Sequence, residues 1–176
     1  MQRNLLRGIA ITLVLIFCGH VSPAFAAEKD TSAKLKPGDV PPKSLGFTRS
    51  SDEIETTQFA GRVMVVTFWA SWCAPCRNEL VMLEKLQAVA KDRLKVVAVN
   101  IESRDVFRRV VRALPDFKVT LTNDPEKRRA DLYGVDGIPH MLIIGKDGKI
   151  VAVHRGYSDS ALDGLLVEIN RELAKG

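Results

Sequence analysis

The stretch Val63-Met-Val-Val-Thr-Phe-Trp69-Ala-Ser-Trp72-Cys73-Ala-Pro75-Cys76 decides the fold. Its first seven residues make a continuous β-branched and aromatic run, the pattern of a strand buried on both faces. Residues 73–91 then carry Leu80, Leu83, Leu86 and Ala90 on one stripe, broadened by Met82 and Val89, so a helix follows the strand. A Cys-x-x-Cys pair therefore sits where a buried strand becomes a helix. Unpaired N–H groups and the positive dipole end stabilise a thiolate at such a terminus. The two-residue spacing lets the cysteines close a disulfide within one helical turn. Cys73, nearer the tip, is the expected exposed nucleophile, and Cys76, one turn in, the shielded resolving thiol. Pro75 leaves no N–H unpaired in the first turn and stiffens the loop.

Working outward, residues 94–101 form a second buried strand. Residues 104–114 form an amphipathic helix, with Phe107, Val110, Val111 and Leu114 at i, i+3, i+4 and i+7. Residues 117–122 suit a short strand. Asp124-Pro125 has the form of a helix start, an N-cap followed by Pro at N1, and Gly134 is the matching stop. Residues 138–144 and 149–155 are strands joined through Lys146-Asp147-Gly148, a hairpin signal. A final helix from about Ser158 buries Leu162, Leu165, Leu166, Ile169 and Leu173. Upstream, residues 45–49 and 55–59 suit a short edge hairpin. Strands alternating with helices, closing on a hairpin and a helix, give an α/β sandwich around a mixed sheet. The chain has no internal repeat and no low-complexity tract.

At 176 residues, 46% apolar and 27% charged, the composition suits one globular domain and argues against disorder or a polytopic membrane protein. Three cysteines are too few for a disulfide scaffold. The first 26 residues stand apart. Arg3 and Arg7 precede an apolar run over residues 9–18, about half the length a bilayer span requires. Gly19 and Pro23 break the run, and Ala24-Phe25-Ala26 matches the small-x-small pattern of a cleaved export signal. An uncleaved anchor is a weaker reading. Lipid attachment through Cys18 is weaker still, because bulky Phe17 stands where a small residue is wanted. Cleavage removes Arg3 and Arg7 and no acid, so the net charge of +5 falls by two. That balance is too mild for nucleic acid, and no basic stripe is interleaved with aromatics. Cleavage leaves Cys73 and Cys76 as the only cysteines, in a compartment where thiols oxidise. Residues 27–44 are polar, with Lys29, Lys34, Lys36, Lys43 and three prolines. They suggest a flexible lead-in that docks late or not at all, ahead of a domain over residues 45–176.

The cysteine pair has two rivals to a reactive dithiol. One is half of a zinc site completed by His140 and His154, the other a purely structural disulfide. The histidines are not spaced as a ligand pair, and the strand-to-helix junction beside Trp69 and Trp72 favours redox chemistry. Arg104, Arg108 and Arg112, with Arg109 beside them, suggest a solvated helix face, with docking on an acidic partner as the rival.

Trp72-Cys-Ala-Pro-Cys76, Gly137-Ile138-Pro139 about 60 residues on, and the Asp147-Gly148 hairpin together resemble the thioredoxin superfamily. The extra helix and strand between residues 101 and 122, the export signal and Glu79 resemble its TlpA/ResA-like branch of exported thiol–disulfide oxidoreductases. The likeness covers residues 45–176. It implies a thioredoxin-like three-layer sandwich with a central mixed β-sheet and an inserted helix–strand element. It implies that Ile138-Pro139 forms a cis-proline loop against the disulfide, with Ile138 offering backbone hydrogen bonds to an extended substrate and Trp72 adding aromatic surface. Glu79, on the same side of the helix as Cys76, is implied in proton transfer and in setting thiol pKa values, and burial would raise its own. The buried acid of cytosolic thioredoxins maps onto Thr67, which does not titrate. His140 stands where many relatives carry Thr, and it either touches the substrate groove or dithiol or is a satisfied, half-exposed strand residue. The implied function is reduction of protein disulfides in the periplasm, by a monomer needing no cofactor or metal. Electrons would come from a membrane-embedded thiol reductase, and the substrates would be apocytochrome c cysteines or misoxidised proteins. A peroxide-reducing relative would need a Pro-x-x-x-Thr-x-x-Cys context that neither cysteine has. A non-catalytic binding module would have no use for two intact cysteines.

Overall fold

The computed structural model describes residues 34–156 and 159–175, apart from the side chains of residues 159–163. The export signal, the first part of the lead-in, the helix start at Ser158 and the Leu162 side chain lie outside the described residues. Seven strands form one mixed sheet in the order β2-β1-β5-β4-β3-β6-β7. β3 (Val63–Trp69) is central, parallel to β4 (Leu94–Asn100) and antiparallel to β6 (His140–Ile144). All seven of its residues are buried, as a continuous apolar run between two covered faces requires.

Alternation along β3 assigns each residue to a face. Val63, Val65 and Trp69 pack under α1 (Ala74–Ala90) and α4 (Asp159–Ala174), with Leu80, Leu83, Leu165 and Ile169. Met64, Val66 and Phe68 pack on the other face with Ala130 and Tyr133 from α3 (Arg128–Leu132) and its end. Those are the three layers of the expected sandwich. β7 (Ile150–Arg155) completes the hairpin with β6 through the Asp147-Gly148 turn, where Gly148 has φ 77°.

The inserted element is α2 (Arg104–Arg112) and β5 (Thr120–Asn123), with β5 parallel to β4. β5 begins later than residue 117, for a visible reason. Glu84 of α1 accepts from the Lys118 N–H at 2.7 Å, and Gln87 donates to the Lys118 carbonyl at 3.1 Å. With both backbone groups held by helix side chains, Lys118 cannot join the ladder. The hairpin of β1 (Ser44–Phe47) and β2 (Glu53–Glu55) extends the sheet past β5, so β1 is an interior strand and β2 the edge on that side. Residues Thr56–Phe59 form a 3-10 turn instead of the expected strand. Gly46 is required in β1: at φ 89°, a Cβ there would lie 2.7 Å from the Asn123 carbonyl oxygen.

Two further expectations are corrected. Asp124 does not begin a helix, because Pro125 opens a turn and α3 starts at Arg128. Its buried carboxylate still caps α3 from a distance, accepting from the N–H groups of Arg129 (2.8 Å) and Ala130 (2.9 Å). Gly134 is the stop, at φ 67°, with Val135 N–H returning to Ala130 C=O. The lead-in is not loose from Lys34 onward. Gly38 N–H donates to Ile150 C=O, Ile150 N–H to Asp39 C=O, and the Tyr133 hydroxyl to Pro42 C=O. Proline fixes φ, which lowers the entropy lost on docking, and the β7 edge offers backbone groups to bond.

Candidate active site

β3 ends at Trp69, and the loop Ala70-Ser71-Trp72 delivers Cys73 as the N-cap of α1. Cys73 and Cys76 are joined in a disulfide, and the Cys73 Sγ also accepts from the Cys76 N–H at 3.3 Å. A sulfur at this cap faces the free N–H groups and positive pole of a 17-residue helix, which lowers the cost of holding a thiolate there. Cys73 is 5% exposed and Cys76 fully buried, so in the disulfide form the outer sulfur is itself buried rather than exposed as expected, because it packs in the cluster with Trp69 and Leu80. Trp72, next to the outer sulfur, is 69% exposed.

The Ile138–Pro139 bond is cis. Ile138 packs against the same cluster as Trp69, Cys73, Cys76 and Leu80, so the loop and the disulfide share one patch of core. The Pro139 carbonyl is taken by Gly156 N–H, but neither backbone group of Ile138 has a partner among the described residues. That leaves the edge an extended peptide would bond.

Glu79 lies one turn after Cys76 and is 3% exposed. Its carboxyl accepts a 2.7 Å hydrogen bond from Thr67 on β3. Burial raises its pKa to about 7, with the Thr67 hydrogen bond opposing the shift. Thr67 thus supports a displaced acid where cytosolic thioredoxins place their own. A carboxyl that half-titrates near neutrality can accept or release a proton at working pH.

His140 matches neither expectation. It pairs across from Phe68 and meets that ring edge-on at 6.2 Å, so it sits on the sheet face away from α1. It is fully buried, with no hydrogen-bond partner at Nδ1 or Nε2. Burial, reinforced by the Arg155 charge, lowers its pKa to about 4, so the imidazole is neutral. His154 is engaged by Glu168 at 2.8 Å. The four ligands of the zinc rival are therefore not brought together.

One functional group escaped the sequence reading. Glu102, just past the end of β4, accepts from the Ser71 N–H (2.6 Å), the Ser71 hydroxyl (2.9 Å) and the Asn100 amide (3.0 Å). Arg77 donates to the Ser71 carbonyl at 2.6 Å. Every polar atom of Ser71 is thus bonded, and the loop carrying Trp72 is clamped. The available signal was topological: residues just beyond the carboxyl ends of adjacent parallel strands converge on one site. Beside this loop, Trp69, Arg77, Leu80, Val81, Val110 and Phe117 line an apolar groove of about 320 Å³ between α1 and the inserted element. The arginines of α2 are exposed, as a solvated face requires.

The sequence matches the family described as Redoxin over residues 23–166. It is 30% identical over 159 residues to a thioredoxin-like protein, YneN, of Bacillus subtilis, covering 89% of this chain and 92% of that one. A thiol:disulfide interchange protein, CycY, of Rhizobium leguminosarum is 35% identical over 119 residues, 65% of this chain and 62% of that one. Among solved structures, a putative thiol:disulfide interchange protein DsbE from Chlorobium tepidum superposes with a TM-score of 0.70 at 29% identity. That match covers 80% of this chain and all of the other.

Proposed function

From the premise that this chain belongs to the redoxin family and is a TlpA/ResA-like protein thiol–disulfide oxidoreductase, we propose that it acts after export as a reductant of protein disulfides. The observation that carries the reading is a Cys-x-x-Cys pair capping α1 in one packed cluster with a cis-proline loop whose outer edge is unbonded. In the reduced protein, the Cys73 thiolate attacks a substrate disulfide and expels one substrate thiolate. Cys76, deprotonated to the buried Glu79 carboxylate, then attacks the Cys73 sulfur. The second substrate thiolate leaves, and the Cys73–Cys76 disulfide closes. Two electrons pass to the substrate, whose thiolates take up two protons. Ile138 aligns the substrate backbone, and Trp72 covers the exchange from the solvent side.

Residues 1–26 have the form of a cleaved signal, and no helix of the described residues is long and apolar enough to cross a membrane. The signal form supports a periplasmic site of action, where this reading has a monomer reloaded by a membrane-embedded thiol reductase. The substrates are apocytochrome c cysteines awaiting haem or misoxidised proteins. No organic cofactor enters the exchange. In a test, Cys76→Ser accumulates reductant-sensitive mixed disulfides with periplasmic proteins, and Cys73→Ser accumulates none. Adducts at equal yield through Cys76 in Cys73→Ser reverse the assignment of roles.

A further inference from the structure

The pole of the sheet opposite the disulfide has a character that the exchange chemistry does not use. β3 runs seven residues from Val63 to Trp69, so its start lies roughly 20 Å from the redox loop. Around that start Val40, Pro41, Phe59, Met64 and Ile144 line a shallow apolar groove of about 280 Å³. Val40 is 72% exposed at its mouth, an aliphatic side chain presented to water. Lys43, Arg62, Lys146 and Lys149 rim the groove, and Lys95 lies against its Phe59, 5.2 Å from the ring centroid.

Among the described residues none of these five cations is in an ion pair. The one acid in the lining, Asp147, accepts from the Lys149 N–H and offsets one of the rimming charges, and the Lys146 ammonium donates to the Lys175 carbonyl, so the rim keeps a net positive charge. Burial, and secondarily the neighbouring Arg62 charge, lowers the Lys95 pKa. Cations lining the same groove as an exposed aliphatic side chain fit a surface that is anionic at its headgroups and apolar just beneath.

We propose that this pole seats on a bilayer containing anionic phospholipid, holding the molecule with Cys73, Trp72 and the cis-proline loop turned away from the membrane. The setting rests on the exported-reductase reading, since an exported chain is released beside such a surface. Seating leaves the exchange site open to substrates while confining the protein near the membrane. An acidic polypeptide would meet the cations equally well but would leave the Val40 groove unused.

The test is sedimentation of the exported chain, starting at Ala27, with phosphatidylglycerol–phosphatidylcholine vesicles and with phosphatidylcholine vesicles alone, at low and high salt. The expected result is binding to the anionic vesicles only, released by salt. Lys149→Gln weakens it roughly fivefold and Lys43→Gln with Lys149→Gln roughly 25-fold, as about 1 kcal/mol per cation gives. Arg108→Gln, on the α2 face, leaves it unchanged. Insulin reduction, measured on the same samples, is unaffected by all these substitutions. Equal binding to neutral vesicles, no binding to either, or an Arg108→Gln loss as large as that of Lys149→Gln overturns the proposal. Binding to polyglutamate but not to vesicles also overturns it and assigns the pole to a protein partner. Vesicle binding with no insulin reduction in the parent chain defeats the reductase reading alone.

Discussion

Substituting Glu79 by Gln should uncover a pH dependence of stability that the parent protein conceals. His140 has its pKa lowered from 6.5 to about 4 on folding, because its neutral ring is buried. Between those values the unfolded chain holds a proton that the folded one refuses, so this group makes stability rise with pH. Glu79 has its pKa raised from 4.5 to about 7, so there the folded chain holds a proton that the unfolded one has released. This group makes stability fall as pH rises. Each contributes a slope of about 1.4 kcal/mol per pH unit, with opposite sign, and the windows overlap from about pH 4.5 to 6.5. Their contributions cancel there. Removing Glu79 leaves the His140 term alone, so the stability of Glu79→Gln should itself rise with pH between about 4 and 6.5, and its difference from the parent should climb by roughly 3 kcal/mol across the Glu79 window, from pH 4.5 to about 7. His140→Leu should do the reverse, with the difference falling between about pH 4 and 6.5, and the double variant should restore the parent profile where the two windows overlap. Urea midpoints of the oxidised proteins, taken across this range, measure all four curves. A constant offset reports lost packing or the lost Thr67 hydrogen bond, whereas the slope reports proton linkage alone. A flat difference curve for Glu79→Gln would refute the argument that the Glu79 carboxyl is folded in its protonated form.

Two further outcomes follow from the site. Ala74 and Pro75 supply no charge or side-chain donor to Cys73, and His140 is neutral on the other face of the sheet, leaving mainly the helix terminus to hold the thiolate. Equilibration with glutathione should therefore give a potential below about −195 mV, nearer to thioredoxin at about −270 mV than to DsbA at about −120 mV. A value above about −160 mV would make the protein an oxidant or isomerase. Glu102→Ala leaves the Ser71 N–H and hydroxyl and the Asn100 amide without their acceptor, costing about 2 kcal/mol and loosening the Trp72 loop. Trp72 fluorescence anisotropy and the insulin-reduction rate should fall together, with Glu102→Gln recovering most of both. Unchanged anisotropy would remove Glu102 from the loop's support.

The redox half of the fold was legible because local and long-range signals agree there. The apolar run of β3, the stripe of α1 and the cysteine at its cap all specify the same junction. Glu79 was legible through its spacing from Cys76, although its hydrogen bond to Thr67 emerges only when β3 lies beneath α1. Other features depend on partners distant in the chain. The late start of β5 reflects side chains of α1 claiming Lys118, and Asp124 caps a helix that begins four residues after it. A polar lead-in rich in lysine and proline gives no apolar pattern to follow, so its bonds to Ile150 and Tyr133 were invisible. His140 was misjudged because a polar residue was expected to find a partner, whereas it is enclosed against Phe68 without one.

The bonded lead-in also sets where the folding unit can be cut. Residues 38 and 39 occupy the ladder edge at Ile150, Pro42 takes the Tyr133 hydroxyl, and Leu35 covers part of the core beneath α3. A recombinant domain begun at Ser44 would carry a raw strand margin and an unsheathed apolar seam, the combination that leads one molecule to borrow another as its missing segment. Such a fragment would self-associate for want of ten residues that resemble a spacer.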